Sequence, residues 1–205
     1  MDTLFPAERH LRPRVHGSTI TTPPVGAIAL ARTWLDTERP GLVAIAAHAA
    51  KNGWPEHAMG LGATLFRYLD SGAHFPEALA MHGHARDAAC QVGDRIAEAT
   101  SMINLGLAHY REGHSQQAAD LYQQALAQFR EASDQAGQAR ALNSLGLVAL
   151  QRRTYRGARE YFRAALTLCR TVGDRIGEVR ALDYLRCAHT STAVAHGPAV
   201  IFGRP

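Results

Sequence analysis

Lysine is almost missing from this chain of 205 residues. Lys51 is the only one, so the surplus of 22 basic over 18 acidic side chains is carried by arginine. The resulting net charge of +4 is small beside the clustered basic stripe of a dedicated nucleic-acid binder, and direct binding of DNA or RNA is not expected. Cysteine is scarce too: Cys90, Cys169 and Cys187 are odd in number and have no CxxC spacing, which excludes a disulfide framework or a zinc knuckle. No apolar run reaches the roughly 18 residues that a membrane helix needs, so no membrane association is expected. The mixed charges of Asp2, Glu8, Arg9, Arg12 and Arg14 leave no apolar stretch for a signal peptide, and the chain reads as cytoplasmic. There is neither a GxxxxGK[ST] phosphate loop nor a GxSxG nucleophile turn. The chain reads as a non-enzyme without cofactor.

What the sequence does have is a repeat with a period of 40 residues. Gly93-Asp94-Arg95-Ile96 recurs as Gly173-Asp174-Arg175-Ile176, with Ser133-Asp134 midway between them, and Leu105-Gly106-Leu107 recurs as Leu145-Gly146-Leu147. Leu185 falls at the third place. Laying 93–132 over 133–172 without a gap also pairs Ala118 with Ala158, Ala125 with Ala165 and Leu126 with Leu166. These are small or apolar positions, the kind that packing fixes.

Within each period the apolar spacing is helical. Ala118, Leu121, Tyr122, Ala125, Leu126 and Phe129 lie on one helix face, and Ala158, Tyr161, Phe162, Ala165, Leu166 and Cys169 repeat it. Gly93-Asp94 and Gly173-Asp174 combine a glycine that ends one helix with an aspartate that caps the next. Glu98, Gln138 and Glu178 follow in the first turns, where a carboxylate suits the helix dipole. Gly113 and Ser71-Gly72 mark turns within units, and Pro55 and Pro76 open helices. The predicted helices are 27–36, 38–52, 55–71, 76–92, 94–112, 115–132, 134–152, 155–172 and 174–189. Residues 1–25 read as an extended or disordered lead-in without a share in the core. Residues 26–53 read as a helical pair packed on the array, 54–189 as units 54–92, 94–132, 134–172 and a partial 174–189, and 190–205 as a flexible tail.

Helix pairs with Leu-Gly in the first helix and a small–aromatic–small series in the second resemble tetratricopeptide repeats. Leu105, Gly106, Ala118, Tyr122 and Ala125 fall on that pattern, as do Leu145, Gly146, Tyr155, Ala158, Phe162 and Ala165. The unit at 54–92 keeps Leu65, Ala78, His82 and Ala85 but has Phe66 at the glycine place, and the last unit has Arg186 there. The resemblance implies an all-α, right-handed superhelical solenoid of antiparallel helix pairs, with a protein or peptide held in its concave groove. It places Thr100, Ile103, Asn104, Leu107, Tyr110 and Arg111 in that groove, then Arg140, Asn143, Ser144, Leu147 and Gln151, then Arg180, Asp183 and Tyr184. The amides can donate and accept along an extended backbone, the arginines can pair with carboxylates, and the tyrosines offer flat contact.

The segment from Ala31 to Ala44 (Ala-Arg-Thr-Trp-Leu-Asp-Thr-Glu-Arg-Pro-Gly-Leu-Val-Ala) resembles the join between the nucleotide-switch domain and the repeats in actinobacterial regulators of the antibiotic regulatory protein type. That resemblance implies a sensor or scaffold arm of a transcriptional regulatory system. The predicted helix at 174–189 lacks a second helix to cover Ile176, Val179, Leu182 and Leu185, so that face folds back on the tail, stays partly exposed or pairs with another chain, the last of which predicts a homodimer.

Other chemistry is weakly supported. His82-Gly83-His84 beside His74 is the densest group among eleven histidines, but residues two apart on a helix face different ways, so no metal site is expected there. His82 reads as interhelical and His84 as solvated. Cys169 takes the core slot of Phe129 and reads as a small hydrophobe. Arg156, Arg159 and Arg163 share a helix face near Arg152 and Arg153. Glu160 interrupts the run, and no aromatic residues alternate with it for stacking on bases.

Overall fold

The computed structural model describes residues 1–6 and 27–195. Eight helices follow one another: α1 (Ile28–Lys51), α2 (Pro55–Ser71), α3 (Phe75–Val92), α4 (Arg95–Arg111), α5 (Ser115–Glu131), α6 (Gln135–Gln151), α7 (Tyr155–Val172) and α8 (Arg175–Ala195). Among the described residues there is no strand. Three antiparallel pairs, α2–α3, α4–α5 and α6–α7, stack on one another. α1 packs across the first pair and α8 against the last. The chain is an all-α solenoid of helical repeats.

Its beat is 20 residues, half the sequence period. The backbone turns left-handed at Gly53, Ala73, Gly93, Gly113, Ser133, Arg153 and Gly173, with φ between 55° and 85°. A glycine takes this conformation without strain, whereas Ala73, Ser133 and Arg153 hold it against a cost of about 1–2 kcal/mol each. The turn expected at Ser71-Gly72 therefore pivots on Ala73, while Gly72 stays right-handed at φ −87°. Gly72 is glycine for another reason: a Cβ there would meet the His74 imidazole. At every second turn an aspartate caps the next helix. Asp94, Asp134 and Asp174 each accept a hydrogen bond of 2.9 Å, from the backbone N–H of Ala97, Gly137 and Gly177 respectively. Such a cap contributes about 1 kcal/mol.

Within a pair, the glycine of the first helix receives the aromatic ring of the second. A Cβ on Gly106 would strike the Tyr122 ring, and one on Gly146 would strike Phe162, which is fully buried. Between pairs, Gly137 receives Phe129 in the same way. In the first unit the sizes are exchanged: Phe66 fills the glycine place and the smaller His82 the ring place, their centroids 5.9 Å apart. Leu65, Leu105 and Leu145 occupy matching buried positions, while Leu185 is partly covered, resting against Phe162 and Ala188.

The N-terminal region departs from the sequence reading. The helical pair expected at 26–53 is the single helix α1, which continues through Pro40. Proline removes one backbone donor, normally enough to break a helix. Here both sides of Pro40 are anchored. On one side Arg39 donates to Glu77 (2.8 Å), Tyr68 (2.9 Å) and Asp36 (3.1 Å), and the Tyr68 hydroxyl donates to Asp36 (2.6 Å). On the other, Val43 and Ala46 pack into the core shared with α2 and α3. The Tyr68 hydrogen bond, joined by the charges of His74 and Arg39, holds the Asp36 carboxyl below its usual pKa against the opposing effect of desolvation. Burial raises that of Tyr68. The first residues also carry core, contrary to expectation: Met1, Leu4 and Phe5 close a turn and pack against the same cluster. The rest of the expected lead-in lies outside the described residues. At the other end α8 runs to Ala195, past the expected stop at 189, and the remainder of the tail lies outside the described residues.

Replacing Gly146 by Ala is expected to lower unfolding stability by about 1–3 kcal/mol because the added methyl meets the Phe162 ring. Gly83→Ala, where a Cβ would meet nothing within 4 Å, raises it by about 0.5–1 kcal/mol. Urea unfolding of both variants checks the pair; equal effects would mean that ring-on-glycine packing does not set the spacing.

Candidate functional site

The inner face of the solenoid follows from which helices touch across units. α2 meets α4, α4 meets α6 and α6 meets α8, whereas among the described residues α3, α5 and α7 make no such contacts. The first helices are therefore crowded together on the inside of the curve and the second helices are spread on the outside. Repeats stacked this way create an extended concave surface. The residues expected in the groove all lie on these inner helices.

They have different local roles. Asn104 is buried on α4, lining a shallow crevice between α2, α3 and α4. Thr100 and Leu107 are half-buried, and Ile103 belongs to the core. Tyr110 packs partly against that core, and desolvation raises its pKa. Arg111 is already engaged: its guanidinium lies 3.1 Å from Asp70 of α2, tying the first two units together. Leu147 and Tyr184 pack on the last core cluster, where the Tyr184 ring lies 5.2 Å from that of Phe162. Gln151 accepts a hydrogen bond from Ser115, and Asp183 stands 3.6 Å from Arg186.

What is left for a ligand is narrower: Arg140 and Arg180. Arg140 of α6 and Arg180 of α8 are exposed to water, and among the described residues no carboxylate pairs with either. Protein atoms nonetheless hem in Arg140. Desolvation pushes its pKa below the usual guanidinium value, and the like charge of Arg180 adds to the shift. Asn143 is buried, and its Oδ1 has no hydrogen-bond partner. The Ser144 hydroxyl donates to the Arg140 carbonyl at 3.1 Å and holds that turn of α6. Two guanidinium groups thus stand one repeat apart on the inner curve, and the Asp134 charge partly offsets the shift at Arg140.

The residues considered for catalysis do not converge. Cys169 is buried in the Phe129 slot as expected, and desolvation raises its thiol pKa, the opposite of what a nucleophile needs. His74 is drawn to Asp36 and Arg39. His82 is buried and His84 half-buried rather than solvated, so the three histidines share no site. On the outer face, Arg156 pairs with Glu160 at 3.4 Å and Arg152 donates to Gln116 at 2.8 Å, which breaks the basic run into local contacts.

A stack of helical hairpins with an open inner curve is the architecture of an interaction repeat. Residues 73–131 match one family model of the tetratricopeptide repeat and residues 103–171 match another, so this stretch of the chain is similar to a run of tetratricopeptide repeats. Repeats of this kind generally mediate protein–protein interaction. No curated protein matches the chain. No helix among the described residues is long and apolar enough to cross a membrane.

His82 gives the array a dependence on pH. Burial lowers its pKa to about 4, from an ordinary value of 6.5. Between these values the unfolded chain takes up a proton that the folded chain refuses, so stability falls as pH falls through the window, by on the order of 3 kcal/mol once complete. In His82→Leu the difference in urea midpoint between pH 7 and pH 4.5 should shrink relative to the parent chain. An unchanged difference would show that His82 is protonated, or solvated, in the fold.

Proposed function

We propose that the chain is a non-catalytic module that holds an extended, acidic protein segment in its concave groove. The observation that carries this reading is the pair Arg140 and Arg180, neither of them paired with a carboxylate among the described residues. We place the module in the cytoplasm, as the sensor or scaffold arm of a transcriptional regulatory assembly. Support for that placement comes from the likeness of residues 31–44 to the joining segment of antibiotic-regulatory-type regulators.

The test is fluorescence anisotropy with labelled ten-residue peptides rich in Asp and Glu, against Lys-rich controls. The parent chain is expected to bind the acidic set saturably and the controls not at all. Arg140→Gln with Arg180→Gln weakens binding at least tenfold without lowering the melting temperature. Introduced on the chromosome, the same double variant changes the transcripts that deletion of the chain changes. Equal binding by parent and variant removes the groove from the reading, and an unaltered transcript profile after deletion removes the regulatory placement.

A second reading has its own observation. Ile176, Val179 and Leu182 of α8 are 57%, 61% and 44% exposed, on the helix that ends the described array. We infer that this face pairs two copies of the chain. Light scattering at high concentration should give a dimer mass that Val179→Glu reduces to a monomer; a monomer throughout refutes it.

A further inference from the structure

The turn between α4 and α5 brings together three side chains that neither the repeat nor the groove requires. His109 lies in the last turn of α4, Glu112 caps that helix, and His114 precedes α5. One ligand atom from each lies within 4.8 Å of the other two, the only such threefold grouping of histidine, cysteine and acidic residues among the described residues. We propose that His109, Glu112 and His114 form a binding site for a borderline divalent transition-metal ion of the zinc class.

The backbone of this turn is fixed before any ion arrives. The N–H of His114 donates to the His109 carbonyl at 2.8 Å, and the N–H groups of Gly113 and Glu112 donate to Tyr110 and Ala108, each at 3.1 Å. Gly113, at φ 85°, supplies the reversal that returns His114 toward His109. Their rings lie 5.8 Å apart, and His114 Nδ1 is 3.6 Å from the Glu112 carboxylate. His109 Nδ1 is shielded from water without a hydrogen-bond partner, a cost that a bond to a metal or a protonated neighbour would relieve.

The donor set suits the ion. Two imidazoles and one carboxylate are ligands for zinc, nickel, cobalt or copper rather than for calcium or magnesium, which prefer oxygen alone. In a tetrahedral zinc site, bonds of about 2.0–2.1 Å put ligand atoms roughly 3.3 Å apart, so closing the present triangle takes a movement of roughly 1.5 Å. Glu112 and His114 are exposed and can turn that far. Three protein ligands would leave a fourth position for water. The equivalent turns of the neighbouring units carry Leu69, Gly72 and His74, and Ala149, Arg152 and Thr154, neither of which could hold an ion. The set is therefore particular to this unit. Bound there, an ion would clip the end of α4 to the start of α5.

The test is calorimetric titration of the untagged, EDTA-stripped chain with zinc chloride, alongside the double variant Glu112→Gln, His114→Ala. Both substitutions are on exposed side chains, so the fold is retained, and a melting curve of each protein checks this. One equivalent of zinc is expected to bind the parent at micromolar or tighter affinity, with the double variant at least tenfold weaker. His109→Gln should show the same loss. No saturable binding by the parent, or parent-like binding by the double variant, overturns the proposal; the second result would move the ion to other histidines of the chain.

Discussion

The spacing between helices is set by rings that lie directly on backbone. Tyr122 over Gly106, Phe162 over Gly146 and Phe129 over Gly137 occupy volume that a single methyl would close. Because the interior is packed to crystal-like density, the ring fixes how near the two helices approach, and the neighbouring alanines, Ala118, Ala125, Ala158 and Ala165, let the approach continue along the face. The 20-residue recurrence of left-handed turns then delivers each helix to the same contact as its counterpart. Distance and phase together produce the curve.

The curve in turn sorts the polar residues. Inner helices touch their counterparts in the next unit, so their side chains face one another across short gaps, and several expected groove residues are consumed in linking units. Arg111 goes to Asp70 and Tyr184 to Phe162 on other helices, while Asp183 stands by Arg186 within α8. Arg140 and Arg180 are not consumed in this way. The guanidinium groups that packing leaves over lie in the second half of the array, where the anion receptor is proposed.

Much of this was legible in the sequence because it repeats. The period, the three aspartate caps and the glycine–aromatic pairs are each stated at least twice, and the helix ends follow to within a few residues. What stayed hidden depends on contacts made once. α1 runs through Pro40 because Arg39, Asp36, Tyr68 and Glu77 meet in space, and no local rule connects residues so far apart. Ala73, Ser133 and Arg153 carry no sign of the conformation that neighbouring helices force on them. Of the inner-face residues, sequence could give the side of the helix but not which side chains find partners. The grouping of His109 with His114 was overlooked because the closest histidines in sequence, His82 and His84, drew attention to a helix where they diverge. The signal is the spacing of two histidines and a glutamate around Gly113.

Arg140 belongs to α6 and Arg180 to α8, which among the described residues is covered by α6 and α7 alone. In a stack held by nearest neighbours, a helix with fewer contacts is the first to peel away. An anion that bridges the two guanidinium groups would act as a clasp across that weakest seam, so occupancy of the groove and retention of the last helix become one event. The same coupling runs backward: anything that stabilises α8 readies the clasp.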